Sequence, residues 1–302
     1  MVSADVPPTE GCEAKMRLGV QVSIAGSLDR AVDRAINLGC TTMQIFARNP
    51  RTWHVQALSP EIAGLFRDKR QRVDISPAVI HTPYLVNLAS FDKALFEKSV
   101  GALVEDIRRA DALGIEYVVT HIGSARWQSL QKGMAMVSSA LDRILTATED
   151  SGVALLLENT AGHGELIGGR IGHIGQLIRD AGNPLRLGFC LDTCHAFAGG
   201  YELRTKAALD HLQNEIEREI GLERLKVIHL NDCKGALGSH LDRHEHIGKG
   251  RIGLGGFATL LSHSLFDGLP WILETPKKSD MDDRRNLATI LDLLSRGRPE
   301  TA

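Results

Sequence analysis

The chain has 302 residues, of which 43% are hydrophobic and 24% charged, with a formal net charge of -2. That composition supplies a full core, and no apolar run approaches the roughly 18 residues that a membrane span needs, so no span is expected. The balanced charge, with a pI near 6.6, argues against a broad basic face that binds nucleic acid by charge alone, although bound metal ions stand outside that count.

Residues 1–17 hold two prolines and two glutamates and no apolar stretch, which predicts a flexible tail rather than a signal peptide. Residues 17–24 read as a first strand, after which Leu28, Ala31, Val32, Ala35 and Ile36 keep helical spacing. Residues 42–46 form a second strand, and a polar loop over 47–59 carries Asn49, Arg51 and Trp53. A helix near 60–71 precedes the strand that ends in His81. Leu95, Val100, Leu103, Val104, Ile107 and Ala110 mark the next helix, before the strand that ends in His121. A helix over 132–149 is closed by Gly152 and leads to the strand ending in Glu158, a Gly-rich loop over 161–172 and a short helix through Ile174, Leu177 and Ile178. Residues 187–191 are a buried strand ending in Asp192; Ala207, Leu212 and Ile216 trace a helix before the strand to His229. The connection over 231–256 is long enough to expect a function of it, and it contains Asp242 and His244. A helix near 257–265, a strand to Glu274 and a helix through Leu287, Ile290, Leu291 and Leu294 complete the chain.

This alternation makes eight strand–helix units with no linker between them. It predicts an α/β fold, a TIM-type (β/α)8 barrel in a single domain over 18–296, with 297–302 as a C-terminal tail. An open doubly wound sheet is the alternative, but its ligands gather at one switch point. Five cysteines, Cys12, Cys40, Cys190, Cys194 and Cys233, form no paired framework and suggest a reducing, cytoplasmic setting. Cys190 is expected to point away from the face of Asp192, as a small buried hydrophobe.

Six apolar runs end in a residue that can bind a metal: His81, His121, Glu158, Asp192, His229 and Glu274. His195 follows Asp192 at short spacing, and Asp242 and His244 form a second close pair. One such ending means little, since a lone histidine usually packs or is solvated. Nine on one set of strand ends and loops predict a shared site at one end of the sheet. Five imidazoles and four carboxylates without thiolate suit zinc, manganese or iron, and are enough for about three ions. Such ions would bring about +6 against the carboxylates' -4, leaving a concave site that attracts an anion. Multinuclear sites hold the attacking and leaving oxygens of a phosphoryl displacement, so phosphodiester hydrolysis leads. Sugar isomerisation or epimerisation on the same barrel is the rival enzyme reading.

At this point the motifs are informative. His81-Thr-Pro-Tyr84-Leu85-Val-Asn87-Leu, His121-Ile-Gly-Ser, Glu158-Asn-Thr-Ala-Gly, Asp192-Thr-Cys-His195-Ala-Phe-Ala, His229-Leu-Asn-Asp, Asp242-Arg-His244 with Ile247-Gly-Lys-Gly, and Glu274-Thr-Pro occur in this order. Over roughly 18–296 the chain resembles endonuclease IV, the zinc-dependent apurinic/apyrimidinic endonuclease. The resemblance implies a TIM-type barrel with three zinc ions at its C-terminal face. It implies that His81, His121 and Glu158 hold the first ion, and that Glu158 bridges to a second completed by Asp192, His229 and Glu274. His195, Asp242 and His244 would hold the third. Glu158, His195 and Glu274 are then the catalytic residues.

The implied activity is DNA repair: a cut 5′ to an abasic site in double-stranded DNA, leaving a 3′-hydroxyl and a 5′-deoxyribose phosphate. No membrane partner is expected, and the chain is expected to act as a monomer. Asn49, Arg51, Tyr84 and Leu85 are the implied DNA contacts, the last three wedging into the duplex where the abasic sugar is flipped out; flipping is least costly where the base is missing. Two positions depart from the family pattern. Gln21 stands where histidine is usual, and Lys249 where glutamate is common, which puts tuning around the metals in question rather than the ligands.

Overall fold

The computed structural model describes residues 16–182 and 184–297. The expected tails at 1–15 and 298–302 lie outside the described residues. Met16 and Arg17, which the tail was expected to include, are anchored: Met16 packs on the core, and Trp271 N donates to Arg17 O at 2.8 Å.

Eight parallel strands build the barrel: β1 (Leu18–Val20), β2 (Met43–Phe46), β3 (Ala78–His81), β4 (Tyr117–His121), β5 (Ala154–Glu158), β6 (Leu187–Asp192), β7 (Leu225–His229) and β10 (Trp271–Leu273). They run in the order β1-β10-β7-β6-β5-β4-β3-β2. Between β1 and β2 the closure is slight, a single bridge of Gln21 with Gln44, supported by Val22 N donating to Gln44 O at 2.8 Å and Thr41 N to Leu18 O at 2.9 Å. Gly19 permits this approach, because a Cβ there would lie 1.9 Å from the Thr42 carbonyl oxygen. The first strand is shorter than its apolar run, and Gln21 just beyond it joins both neighbours, donating its N–H to Leu273 O at 2.9 Å while bridging Gln44.

Helices α1 (Asp29–Leu38), α2 (Pro60–Arg72), α3 (Lys93–Ala112), α4 (Leu130–Ala147), α5 (Ile171–Asp180), α7 (Lys206–Glu219), α8 (Gly253–Leu261) and α9 (Asp280–Gly297) surround the strands. Local chemistry starts several of them. Ser59 Oγ accepts from Ile62 N ahead of Pro60, and Asp92 accepts from Ala94 N and Leu95 N. Their apolar faces, with Phe66, Leu103, Ile107, Leu141, Leu212 and Phe257 all buried, pack on the outer face of the barrel. Among the described residues no helix is long and apolar enough to cross a membrane.

Two elements interrupt the strict alternation. A short helix, α6 (Thr193–Gly199), follows β6 directly, and the 231–256 connection contains a hairpin of β8 (Asp232–Cys233) and β9 (His244–Glu245). The hairpin is fixed by Asp232, whose fully buried carboxylate accepts from Cys233 N, Gly250 N and Ile252 N at 2.8, 2.8 and 3.0 Å. One buried carboxylate with four amide donors, Gly253 N being the fourth, explains why so long a connection holds this hairpin.

Candidate metal centre and active site

The interior of the barrel is stratified by the two-residue period of its strands. Val79, Val119, Leu156, Cys190, Val227 and Ile272 form a separate buried apolar cluster. Two residues further along the same strands stand His81, His121, Glu158, Asp192, His229 and Glu274. Residues i and i+2 of a strand share a face, so the apolar cluster floors a ring of six polar side chains at the C-terminal mouth. This corrects the expectation for Cys190. It shares the inner face with Asp192, one step below it, although it is the small buried hydrophobe expected, and burial pushes its thiol up to about 12.

Glu158 is the hub. Its Oε2 lies 3.1 Å from both His81 Nε2 and His121 Nε2, and its Oε1 lies 3.1 Å from His229 Nδ1 and 3.3 Å from His195 Nδ1. Ligand atoms of His81, His121 and Glu158 all lie within 4.8 Å of one another, as do those of Glu158, Asp192, His229 and Glu274. A third such group is Asp192, His195 and His244. Asp242 reaches this group from the hairpin, with Oδ1 3.2 Å from His195 Nε2 and 3.6 Å from His244 Nε2. All nine residues predicted as ligands thus meet at one mouth. Cys194 also comes close to Asp242 and His244, but its thiol donates to Cys233, and that bond together with burial raises its pKa.

The residues fit metal ions, as the outward ring nitrogens indicate. His81 Nδ1 meets Thr82 O at 2.8 Å, His195 Nδ1 meets Asn159 O at 3.0 Å, and His244 Nδ1 meets Glu274 O at 3.0 Å. His229 Nε2 meets Gln44 Oε1 at 2.8 Å. A carbonyl oxygen only accepts, so each of these nitrogens carries the proton. The other nitrogen of each neutral ring is left as a lone pair, and all but that of His244 face a carboxylate oxygen within 3.2 Å. Lone pair against anion is repulsive unless a cation or proton stands between them. His244 Nε2 is buried with no hydrogen-bond partner at all. Among these residues Glu158 and Asp192 are fully buried, which demands compensating charge.

Without metal the cluster holds protons instead. Burial opposes charge on His81, His195 and His229, but the carboxylates beside them, and at His229 the Cys190 sulfur ahead of Glu274 and Glu158, hold all three above their ordinary values. Burial likewise opposes ionisation of Glu158, and the neighbouring His121 and His229 overcome it, keeping Glu158 well below the usual carboxylate range.

The supporting residues escaped the sequence reading. Gln44 Nε2 donates to Glu274 Oε1 at 2.5 Å. Asn231 Nδ2 donates to Asp192 Oδ2 at 2.6 Å, while its Oδ1 accepts from Glu274 N at 2.8 Å. Asn159 Oδ1 accepts from Asp192 N at 2.7 Å. The two asparagines lie inside the quoted motifs, next to Glu158 and two after His229, which was the available signal. Gln44 had none beyond its inward parity on β2.

The mouth opens into a cleft of about 540 Å³ lined by His81, His121, His195, Asp242, His244 and Glu274 together with Tyr84, Gln21 and Lys277. Tyr84 is 66% exposed, with its ring 5.5 Å from that of Phe46, so it is not a packed core side chain. Leu85 is half-buried; Asn49 and Arg51 are exposed on the loop after β2, where Asn49 Oδ1 accepts from Arg51 N at 3.0 Å. Gln21 has both amide atoms buried and unpartnered. Lys249 is exposed in a turn and does not line the cleft. An apolar cavity of about 400 Å³, lined by Met16, Trp271, Leu291 and Leu294, lies at the strands' starting end and contains none of these groups.

Comparison with known proteins agrees with this geometry. Residues 32–296 match the xylose isomerase-like TIM barrel family. A relative named "Probable endonuclease 4" from Methanoculleus marisnigri is 48% identical over 276 residues, spanning 91% of this chain and 98% of the relative. The protein of the same name from Halothermothrix orenii is 41% identical, spanning 91% and 99%. Endonuclease IV from Thermus thermophilus superposes with a TM-score of 0.83 at 40% identity, covering 93% of this chain and 99% of that one. A D-tagatose 3-epimerase-like protein shares the fold at a TM-score of 0.69 and 22% identity.

Proposed function

We propose, from the premise that the chain belongs to the endonuclease IV family, that it is a DNA-repair hydrolase cutting the phosphodiester 5′ to abasic sites in double-stranded DNA. The products on this reading are a 3′-hydroxyl and a 5′-deoxyribose phosphate. The observation that carries it is the ring of pinned imidazoles around Glu158: lone pairs and carboxylates aimed at common points, above an apolar floor, in an open cleft.

His81, His121 and Glu158 would hold one ion, Glu158, Asp192, His229 and Glu274 a second, and His195, Asp242 and His244 a third, with zinc as the first choice and manganese or iron as alternatives. When bound, such ions supply Lewis-acid polarisation of phosphoryl oxygens and compensate the charge of the displacement. The chain's own residues do the positioning. Gln44 fixes the tautomer of His229 and the rotation of Glu274 together. Asn159 and Asn231 hold Asp192 from its backbone and its side chain. Asn49, Arg51, Tyr84 and Leu85 are assigned to the DNA, on loops beside the mouth. The third ligand group favours this reading over the sugar isomerase, which has no need of His195, Asp242 and His244. The test incubates the purified protein with a duplex carrying one abasic analogue, with and without chelator. A single chelator-sensitive cut 5′ to the analogue is expected; an intact duplex with an isomerised ketose substrate would overturn the assignment.

A further inference from the structure

The loop after β4 holds an exposed indole in an unusual conformation. Trp127 is 76% exposed, its φ is 70°, and the Arg126 guanidinium carbon lies 4.7 Å from its ring centroid. A bulky side chain rarely adopts left-handed backbone, and such strain persists only where the surroundings over-determine it. They do so here. Gln128 N donates to Ala125 O at 3.0 Å, and Ala125, itself fully buried, donates its N–H to Glu165 O at 2.9 Å. Ser124 N donates to Asn87 Oδ1 at 3.0 Å, and Asn87 Nδ2 donates back to Ser124 O at 3.3 Å.

Asn87 thereby ties this loop to the one carrying Tyr84 and Leu85. Gly123 allows the tie, since a Cβ there would meet Asn87 Oδ1 at 2.2 Å. Tyr84 at the cleft and Trp127 beyond His121 therefore stand on one rigid rim. The neighbouring loop, bridged to this one through Ser124 and Leu166, carries the exposed Glu165 and Arg170. Arg126 beside the indole and the exposed Lys132 at the start of α4 are cations suited to a phosphate backbone.

Within an intact duplex the bases stack on each other and offer no face to an outward indole. An unpaired base does, and a charged groove with an aromatic platform is how single strands are bound without sequence preference. Resting on the DNA-cleaving function above, we propose that Trp127, stacked on Arg126, is a platform for an unpaired nucleobase of a strand leaving the cleft. The substrates of this chain then include abasic DNA with single-stranded extensions as well as closed duplex.

The experiment measures binding of the metal-loaded full chain by fluorescence anisotropy. One probe is a blunt duplex with an internal abasic analogue; the other is the same duplex with an oligothymidylate extension. Base–aromatic stacking corresponds to roughly five- to a hundredfold in affinity, so the extension tightens binding of the unaltered protein by that order. Trp127→Ala loses this gain, Trp127→Phe keeps most of it, and both cut the blunt duplex normally. An equal gain in Trp127→Ala, or no gain in the unaltered protein while blunt cleavage is intact, overturns the platform and leaves the nuclease standing. Equal weakening of both probes in Trp127→Ala also overturns it, assigning Trp127 to folding. Failure of the unaltered protein to bind or cut either duplex overturns the nuclease reading and the platform with it.

Discussion

The carboxamide of Gln44 joins His229 to Glu274, accepting from His229 Nε2 at 2.8 Å and donating to Glu274 Oε1 at 2.5 Å. The two bonds read each other. A carboxylate only accepts, so the amide nitrogen must face Glu274 and the amide oxygen His229, which sets the imidazole proton on Nε2 and leaves Nδ1 for an ion. Outer partners of this type are worth roughly 10- to 100-fold in metal affinity. Gln44→Met, similar in volume but unable to make either bond, is expected to lose metal to a competing chelator about that much more readily, with its circular dichroism unchanged. Retention equal to the unaltered protein would mean that Gln44 does not orient the pair.

The third ligand group can be separated from the other two. His195 Nε2 faces Asp242, on the hairpin, and its Nδ1 is spent on the Asn159 carbonyl. His195→Ala should therefore reduce the metal content by about one ion of three. Loss of one contact to the reacting phosphate adds several kcal/mol to the barrier, so the cleavage rate should fall by at least about two orders of magnitude. Elemental analysis and single-turnover kinetics on the same preparation check this, and near-normal cleavage with one ion missing would show the third group to be dispensable.

The metal-free and loaded proteins should respond oppositely to pH. In the metal-free chain His81, His195 and His229 titrate above their ordinary value of 6.5, held there by the carboxylates, and at His229 first by the Cys190 sulfur, against the opposing effect of burial. A folded-state pKa raised above the unfolded one contributes stability that is complete below pH 6.5 and is lost as pH rises through the folded values. Metal binding requires neutral imidazoles, so it strengthens over the same interval and releases protons. Thermal melts at stepped pH from 6.5 upward should show Tm falling for the chelated protein and holding or rising for the loaded one. Parallel curves would contradict the proton-for-metal exchange.

The barrel and its ring of candidate ligands were legible because one signal served both. Each apolar run that ends in His, Asp or Glu announces a strand and a ligand together, and the same two-residue period places Val79 under His81 and Leu156 under Glu158. The same period should have placed Cys190 beneath Asp192. What failed to show was whatever depends on contact between distant positions. Gln44 acquires its role only where β2 comes near β7 and β10. The cap that Asp232 makes for residues 250–253 needs the chain to turn back on itself. The exposure of Tyr84 is set by packing that a motif does not encode.

Recognition of the lesion can be separated from the chemistry. Phosphate contacts give affinity but carry no information about a missing base. Tyr84 stands 66% exposed at the cleft, with its ring 6.3 Å from that of His81, and Arg51 is exposed on the loop after β2. Neither is among the potential ligand groups, so replacing both by alanine should leave the metal content unchanged. If they fill the space left by the flipped sugar, Arg51→Ala with Tyr84→Ala should still cleave a frayed 3′-terminal phosphoester. On an internal abasic site in stacked duplex it should lose efficiency by about tenfold or more, since extrusion costs a few kcal/mol that these residues would otherwise offset. The deciding quantity is the ratio of internal to terminal cleavage, double variant against unaltered protein. An unchanged ratio would leave Arg51 as a solvated cation and Tyr84 as a bystander at the rim.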